Sequence, residues 1–207
     1  MTCGDYWITT IQAIFLSVNL KSFSILFNQN HKTIKKFVKR LNEEAKEKYF
    51  SNLAIIGGEN VIVEADESKF GKRKHHRGHY VEGVWVLGMV ERTIERRIVL
   101  IPVIRRDRET LKFLLEFHIR RGSMLITDGW RGYRGMEENY LRQVVNHSEH
   151  FVDPITRAHT NTIEGNWSAL KAGIEKRSRT IKKIWLPLFA AMEKRNCSIK
   201  TFIINLL

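Results

Sequence analysis

A chain of 207 residues, 43% hydrophobic and 28% charged, can bury one compact core with a small extra unit beside it. Its 35 Lys and Arg against 22 Asp and Glu leave a net charge of +13, which suits a polyanion such as nucleic acid. Two cysteines, Cys3 and Cys197 at opposite ends, exclude a zinc ribbon and a disulfide framework, and point to a reducing compartment.

Residues 1–52 read as a helical segment. The stretch WITTIQAIFLSVNL is apolar but short and broken by Thr, Gln, Ser and Asn. Asp5 precedes it where a signal peptide would carry positive charge, so the expectation is no signal peptide and no membrane span. In NQNHKTIKKFVKRLNEEAKEKYF, Ile34, Phe37, Val38 and Leu41 recur at helical spacing with lysines between them, and Asn30 or Thr33 supplies a cap. Two readings stay open. The basic helix either reads DNA as part of a helix-turn-helix or packs on the main domain; the usual turn glycine is missing.

Residues 58–207 read as the main domain. VIVEAD (61–66) is a strand, and YVEGVWVLGMV (80–90) and RRIVLIPVI (96–104) form a hairpin across the link ERTIE. DRETLKFLLEFHIR (107–120) is a helix capped by Asp107, with Leu111, Leu114, Leu115 and His118 on one face. SMLIT (123–127) is the fourth strand, WRGYRGMEENY a short helix or loop, and RQVVNH (142–147) the fifth strand. NTIEGNWSALKAGIEKR (161–177) is a helix, and Pro187 opens another. Three strands followed by helix, strand, helix, strand predict a mixed α/β sheet.

Three carboxylates stand out on this frame. Asp66 ends the first strand, Asp128 ends the fourth, and Glu164 lies in the late helix. Ligand sites in such sheets gather at strand ends. Alternation puts Ile62, Glu64 and Asp66 on one face of the first strand. In the late helix Ile163, Trp167, Leu170 and Ile174 form a core stripe, and Glu164, Ser168, Lys171 and Glu175 follow one position later. Glu164 and Lys171 therefore share a flank. Three acids beside cations suit metal-assisted phosphodiester chemistry, because Mg²⁺ takes hard oxygen ligands and basic side chains hold phosphates. Each residue also has a plain structural role. Asp128-Gly129 is a common turn pair, and Asn161 to Glu164 fits a capping box with Asn161 as the cap.

The loop KFGKRKHHRGHY (69–80) follows Asp66 directly. Lys72, Arg73 and Lys74 would grip DNA at the cleft rim, the alternative being a solvated basic loop. His75, His76 and His79 lack a convincing set of metal partners. KAGIEKRSRTIKK, with Lys176 and Arg177, would extend the positive surface from the late helix.

The blocks EADESKFGKRK, ITDGWRGY and VNHSEHFVDPITRAHTNTIEGNWSALK resemble successive blocks of DDE transposases, most closely Merlin-type elements of eukaryotes and bacterial insertion sequences with the ISXO-two-like domain. The resemblance covers roughly residues 60–200, and 35 residues lie between Asp128 and Glu164, a spacing similar to that of many DDE recombinases. It implies a ribonuclease-H-like fold whose first three strands are antiparallel. It also implies Mg²⁺-dependent (or Mn²⁺-dependent) cleavage and strand transfer at element ends, with Asp66, Asp128 and Glu164 as metal ligands. Lys171 would contact DNA near the cut, with Arg131 also on DNA, and His159 and Asn161 shaping the site. Trp130 would pack on the strand end or stack on a base, and Trp167 would pack in the core. Expected partners are element-end and target DNA and a second copy of the chain, in a nucleus if the host is eukaryotic and otherwise in the nucleoid. Family members often begin with a zinc ribbon and a helix-turn-helix. This chain lacks the ribbon, so a catalytically inactive, transposase-derived DNA-binding protein is the competing expectation.

Overall fold

The computed structural model describes residues 3–15, 18–71, 83–145, 159–174, 176 and 179–196. Five strands form one sheet: β1 (Ile62–Phe70), β2 (Val84–Glu91), β3 (Ile98–Val103), β4 (Met124–Asp128) and β5 (Leu141–Val145). Their order is β3-β2-β1-β4-β5. The link after Glu91 is short enough to close a hairpin, so β2 pairs antiparallel with both β1 and β3. Helix α4, which the structure places at Arg108–His118, carries the chain back across the sheet, so β4 and β5 run parallel to β1. Asp107 caps α4 by accepting from the Thr110 N–H at 3.0 Å.

β1 extends four residues beyond the expected Asp66. Glu67 to Phe70 stay paired with Leu87 to Val84 of β2. Their polar residues break the apolar pattern, but a strand is held by its backbone ladder, which the pattern does not report.

The two faces of the sheet bury different sets. On one, Val63, Ala65, Leu87, Met89, Val99 and Ile101 pack with Leu111 and Leu115 of α4. On the other, Phe70, Val86, Val90 and Leu100 pack with Ile163 and Trp167 of a further helix and with Leu188 and Phe189 near the C-terminus. Glu64, Asp66 and Ser68 belong to this second face by alternation.

Three helices precede the sheet: α1 (Cys3–Phe15), α2 (Leu20–Leu26) and α3 (His31–Tyr49). Asn30 caps α3, accepting from the Lys32 N–H at 2.8 Å. In the turn before it, Asn28 sits at φ +49, the left-handed region where glycine was missed, and Asn tolerates that conformation. Ile11, Leu41, Ala45 and Tyr49 share the second-face core, and the Tyr49 hydroxyl donates to the Leu100 carbonyl of β3. The first helices are therefore packed onto the sheet domain. Two further helices follow β5: α5 (Asn161–Gly173) and α6 (Trp185–Asn196). Pro187 lies in the first turn of α6, where no intrahelical donor is lost. Among the described residues no helix is long and apolar enough to cross a membrane.

Candidate active site

Asp66 stands in β1 directly opposite Gly88 of β2. The parallel register pairs Glu64 with Ile126, and two more steps bring Asp66 level with Asp128 at the end of β4. Asp128 Oδ1 accepts from the Trp130 N–H at 2.9 Å, so one oxygen serves the turn suggested by the Asp-Gly pair. Glu164 lies in the first turn of α5, and its Oε1 accepts from the Thr160 hydroxyl at 2.9 Å.

Asp66 feels the other two acids. Burial pushes the Asp66 carboxyl above its ordinary value, the Trp167 indole N–H pulls it back, and the negative charges of Asp128 and Glu164 push it up again. Crowded carboxylates are relieved by a cation, and their hard oxygens match what Mg²⁺ or Mn²⁺ accepts. The donor set fits a divalent ion in chemistry and charge. In geometry the acids are neighbours rather than a closed cage: among the described residues no group of three His, Cys, Asp or Glu is arranged to hold a metal.

Trp167 does more than fill the core. Its ring is buried in the second-face cluster, and its Nε1 donates to Asp66 Oδ2 at 2.9 Å. The approach is open because residue 88 is glycine; a Cβ there would lie 2.5 Å from Trp167 Cη2 and Cζ2. Ile163, Trp167 and Ile174 are buried and Leu170 partly so, as the stripe predicts.

The capping box differs from expectation. Thr160, not Asn161, is the N-cap, and its side chain makes no capping bond. The acceptor comes from β1 instead: fully buried Glu64 takes the Ile163 N–H at 2.9 Å through Oε2. Glu64 Oε1 is ion-paired with Arg92 at 2.6 Å, and Arg92 also donates to the His159 carbonyl at 2.5 Å. With a buried carboxylate at the helix start, no neighbouring side chain is needed there. The helix ends at Gly173, short of the expected Arg177, where the Arg179 side chain takes the Ile174 carbonyl at 3.0 Å.

The predicted cations are placed as follows. Lys171 leans inward: its Nζ donates to Ser68 Oγ at 2.6 Å, and its pKa is lowered by burial and by Arg179, with Asp66 opposing. His159 faces Arg92, with Nδ1 at 2.9 Å from the guanidinium. Asn161 and Lys176 are exposed, as is Arg131, whose guanidinium lies 5.6 Å from the Trp130 ring. Lys72, Arg73, Lys74 and Arg177, and with them His75, His76, His79 and Glu175, lie outside the described residues.

Sequence reasoning missed Glu67. It points to the face opposite Asp66, and its Oε1 is buried without a hydrogen-bond partner among the described residues. Burial pushes its carboxyl up to about 7; the nearby Tyr133 hydroxyl lowers it, Asp66 and Asp128 raise it, and Arg106 lowers it. Arg106 lies 3.9 Å from Glu67, stacks 3.5 Å over Trp85, and is 5.1 Å from the Trp130 ring. Trp130 is partly buried and packs against the α4-side core. An outward Glu between Asp66 and Ser68 carries no periodic signal of such burial.

A mixed α/β sheet with one acid inside β1, a second at the end of the adjacent parallel strand β4 and a third on the helix packed over β1 and β2 defines a carboxylate-site domain in a strongly basic chain. The sequence model of the ISXO2-like transposase domain matches residues 43–192, more than half of the chain, and the chain belongs to this family of DDE transposases. Comparison with curated proteins gives no match. Such transposases generally use a divalent metal and bind DNA.

Proposed function

We propose that the chain cleaves phosphodiester bonds at the ends of a transposable element and joins the freed 3′ hydroxyl to target DNA, with Asp66, Asp128 and Glu164 as metal ligands. The observation that carries this is the register that brings Asp66 of β1 level with Asp128 of β4, with Glu164 of α5 close enough for its charge to act on Asp66. The strand order, with three antiparallel strands followed by two parallel ones, supports a ribonuclease-H-like fold. Bound Mg²⁺ or Mn²⁺ would activate the attacking oxygen and stabilise the leaving one. The chain's own residues do the rest. Asp66 and Asp128 are held at fixed positions by the sheet, and Glu164 by the first turn of α5. Lys171 brings a cation to Asp66 and the phosphate side of the cleft, while Arg131, Lys176 and Asn161 offer exposed contacts to the backbone. Within the family the motif blocks favour a Merlin-type origin. Helices α1 and α3 of residues 1–52 pack onto the catalytic unit of 58–207, which supports the second of the two readings of the basic helix. A dimer on paired element ends, in nucleus or nucleoid according to host, completes the reading.

The second reading, a DNA-binding relic without chemistry, is favoured by the open arrangement of the three acids. Nicking of supercoiled plasmid in Mg²⁺ or Mn²⁺ separates the two. Wild type nicks and Asp128→Asn does not, while both bind DNA with similar affinity. Cleavage surviving in Asp128→Asn would overturn the site, and DNA binding without nicking by either would establish the relic.

A further inference from the structure

Two polar contacts fasten α5 to β1, and they lie one helical turn apart. At the first, Glu64 takes the Ile163 N–H at 2.9 Å, while Arg92 ties Glu64 to the residue before the helix cap through the His159 carbonyl. At the second, the Trp167 Nε1–H meets Asp66 Oδ2 at 2.9 Å in a space that only glycine at position 88 leaves open. Residues 163 and 167 share one helix face, and 64 and 66 share one strand face. The two contacts thus set helix and strand in one register, with Glu164 next to the first contact and Asp66 inside the second. A core indole needs no carboxylate partner in order to pack; this one is directed at a candidate metal ligand.

We propose that Trp167 and Glu64 are positioning residues for the carboxylate site. Trp167 holds the Asp66 carboxylate in one rotamer through its N–H, and Glu64, neutralised by Arg92, holds the first turn of α5 and with it Glu164. The inference rests on the metal-site reading above. A fixed carboxylate loses less freedom on taking a cation than a swinging one, so the contact appears in metal affinity without being a ligand bond.

The test is Trp167→Phe, which keeps an aromatic ring in the core and removes the donor. Mn²⁺ binding to the DNA-free chain is followed by the loss of its free-ion electron paramagnetic resonance signal, in wild type, Trp167→Phe, Asp66→Asn and the double variant. The expected result is about tenfold weaker binding in Trp167→Phe, at a melting temperature close to wild type, and no further loss when the change is added to Asp66→Asn. An equal loss in both backgrounds means that Trp167 acts only through packing and overturns the inference. A wild type that binds Mn²⁺ and nicks DNA while Trp167→Phe matches it overturns the inference alone; a wild type that does neither overturns the metal reading and this inference with it. Should Trp167→Phe not fold, the indole N–H proton resonance of Trp167 in Asp66→Asn decides: an upfield move relative to wild type supports the contact, and an unmoved resonance refutes it.

Discussion

Asp66 and Glu67 are chain neighbours with opposite surroundings. Asp66 faces α5, where an indole N–H meets it; Glu67 lies on the opposite face beside the Tyr133 hydroxyl and Arg106, and its Oε1 has no hydrogen-bond partner among the described residues. Alternation along a strand makes this inevitable once both faces are covered. The consequence for Glu67 is measurable. Its folded value of about 7 lies above the ordinary 4.5, so folding takes up a proton between those values. Stability is then fullest below about pH 4.5 and declines as pH rises through about 7. Glu67→Gln removes that ionisation. In EDTA, the variant's melting temperature should exceed that of wild type at pH 8, with the gap closing at pH 4; a gap equal at both would contradict a buried, raised carboxyl. Glu67 was illegible in the sequence because EADESKF reads as a strand end going polar, and only the cover from Tyr133 and Arg106 buries it.

At the scale of elements, the β-strands and α4 were readable because their signals are local. Apolar alternation, a short hairpin link and Asp107 three residues ahead of the Thr110 N–H all lie within a few positions. The contact of α5 with β2 was not, because Gly88 in YVEGVWVLGMV looks like a weak point in a strand. The structure makes it a requirement. A Cβ at 88 would lie 2.5 Å from the Trp167 ring and 2.9 Å from Ile163 Cδ1. Gly88→Ala should therefore destabilise by about 1–3 kcal/mol through overpacking, read as a lower urea midpoint, although alanine is the better strand residue. A midpoint at or above wild type would show that α5 shifts freely on the sheet.

For the molecule as a whole, charge and site act together. A net +13 attracts DNA from any direction, but in the proposed reaction only cations near the acids can hold the phosphate to be cut. Lys171 is drawn in by Ser68 and sits beside Asp66. Lys171→Ala should weaken DNA binding and reduce the slope of log affinity against log salt by about one. An unchanged slope would assign Lys171 to holding β1 and α5 together and not to DNA.

The order of acids along the chain, the strand count and the helix cap Asp107 were determined by the sequence itself, and the cap of α3 was narrowed to Asn30 or Thr33, because each depends on residue type and on neighbours within a turn or a strand step. The caps of the last two helices were decided by tertiary structure alone. Glu64 reaches the start of α5 from 99 residues away, and Asn42 of α3 takes the Leu186 N–H at the start of α6 from 144 residues away. Asn42 also donates to the Lys182 carbonyl at 2.8 Å. A buried helix start needs an acceptor, but nothing in the local pattern says which distant strand or helix supplies it. The same holds for the Trp167 N–H: helical periodicity puts the ring in the core, and only the packing of α5 over Gly88 brings its one polar atom to Asp66.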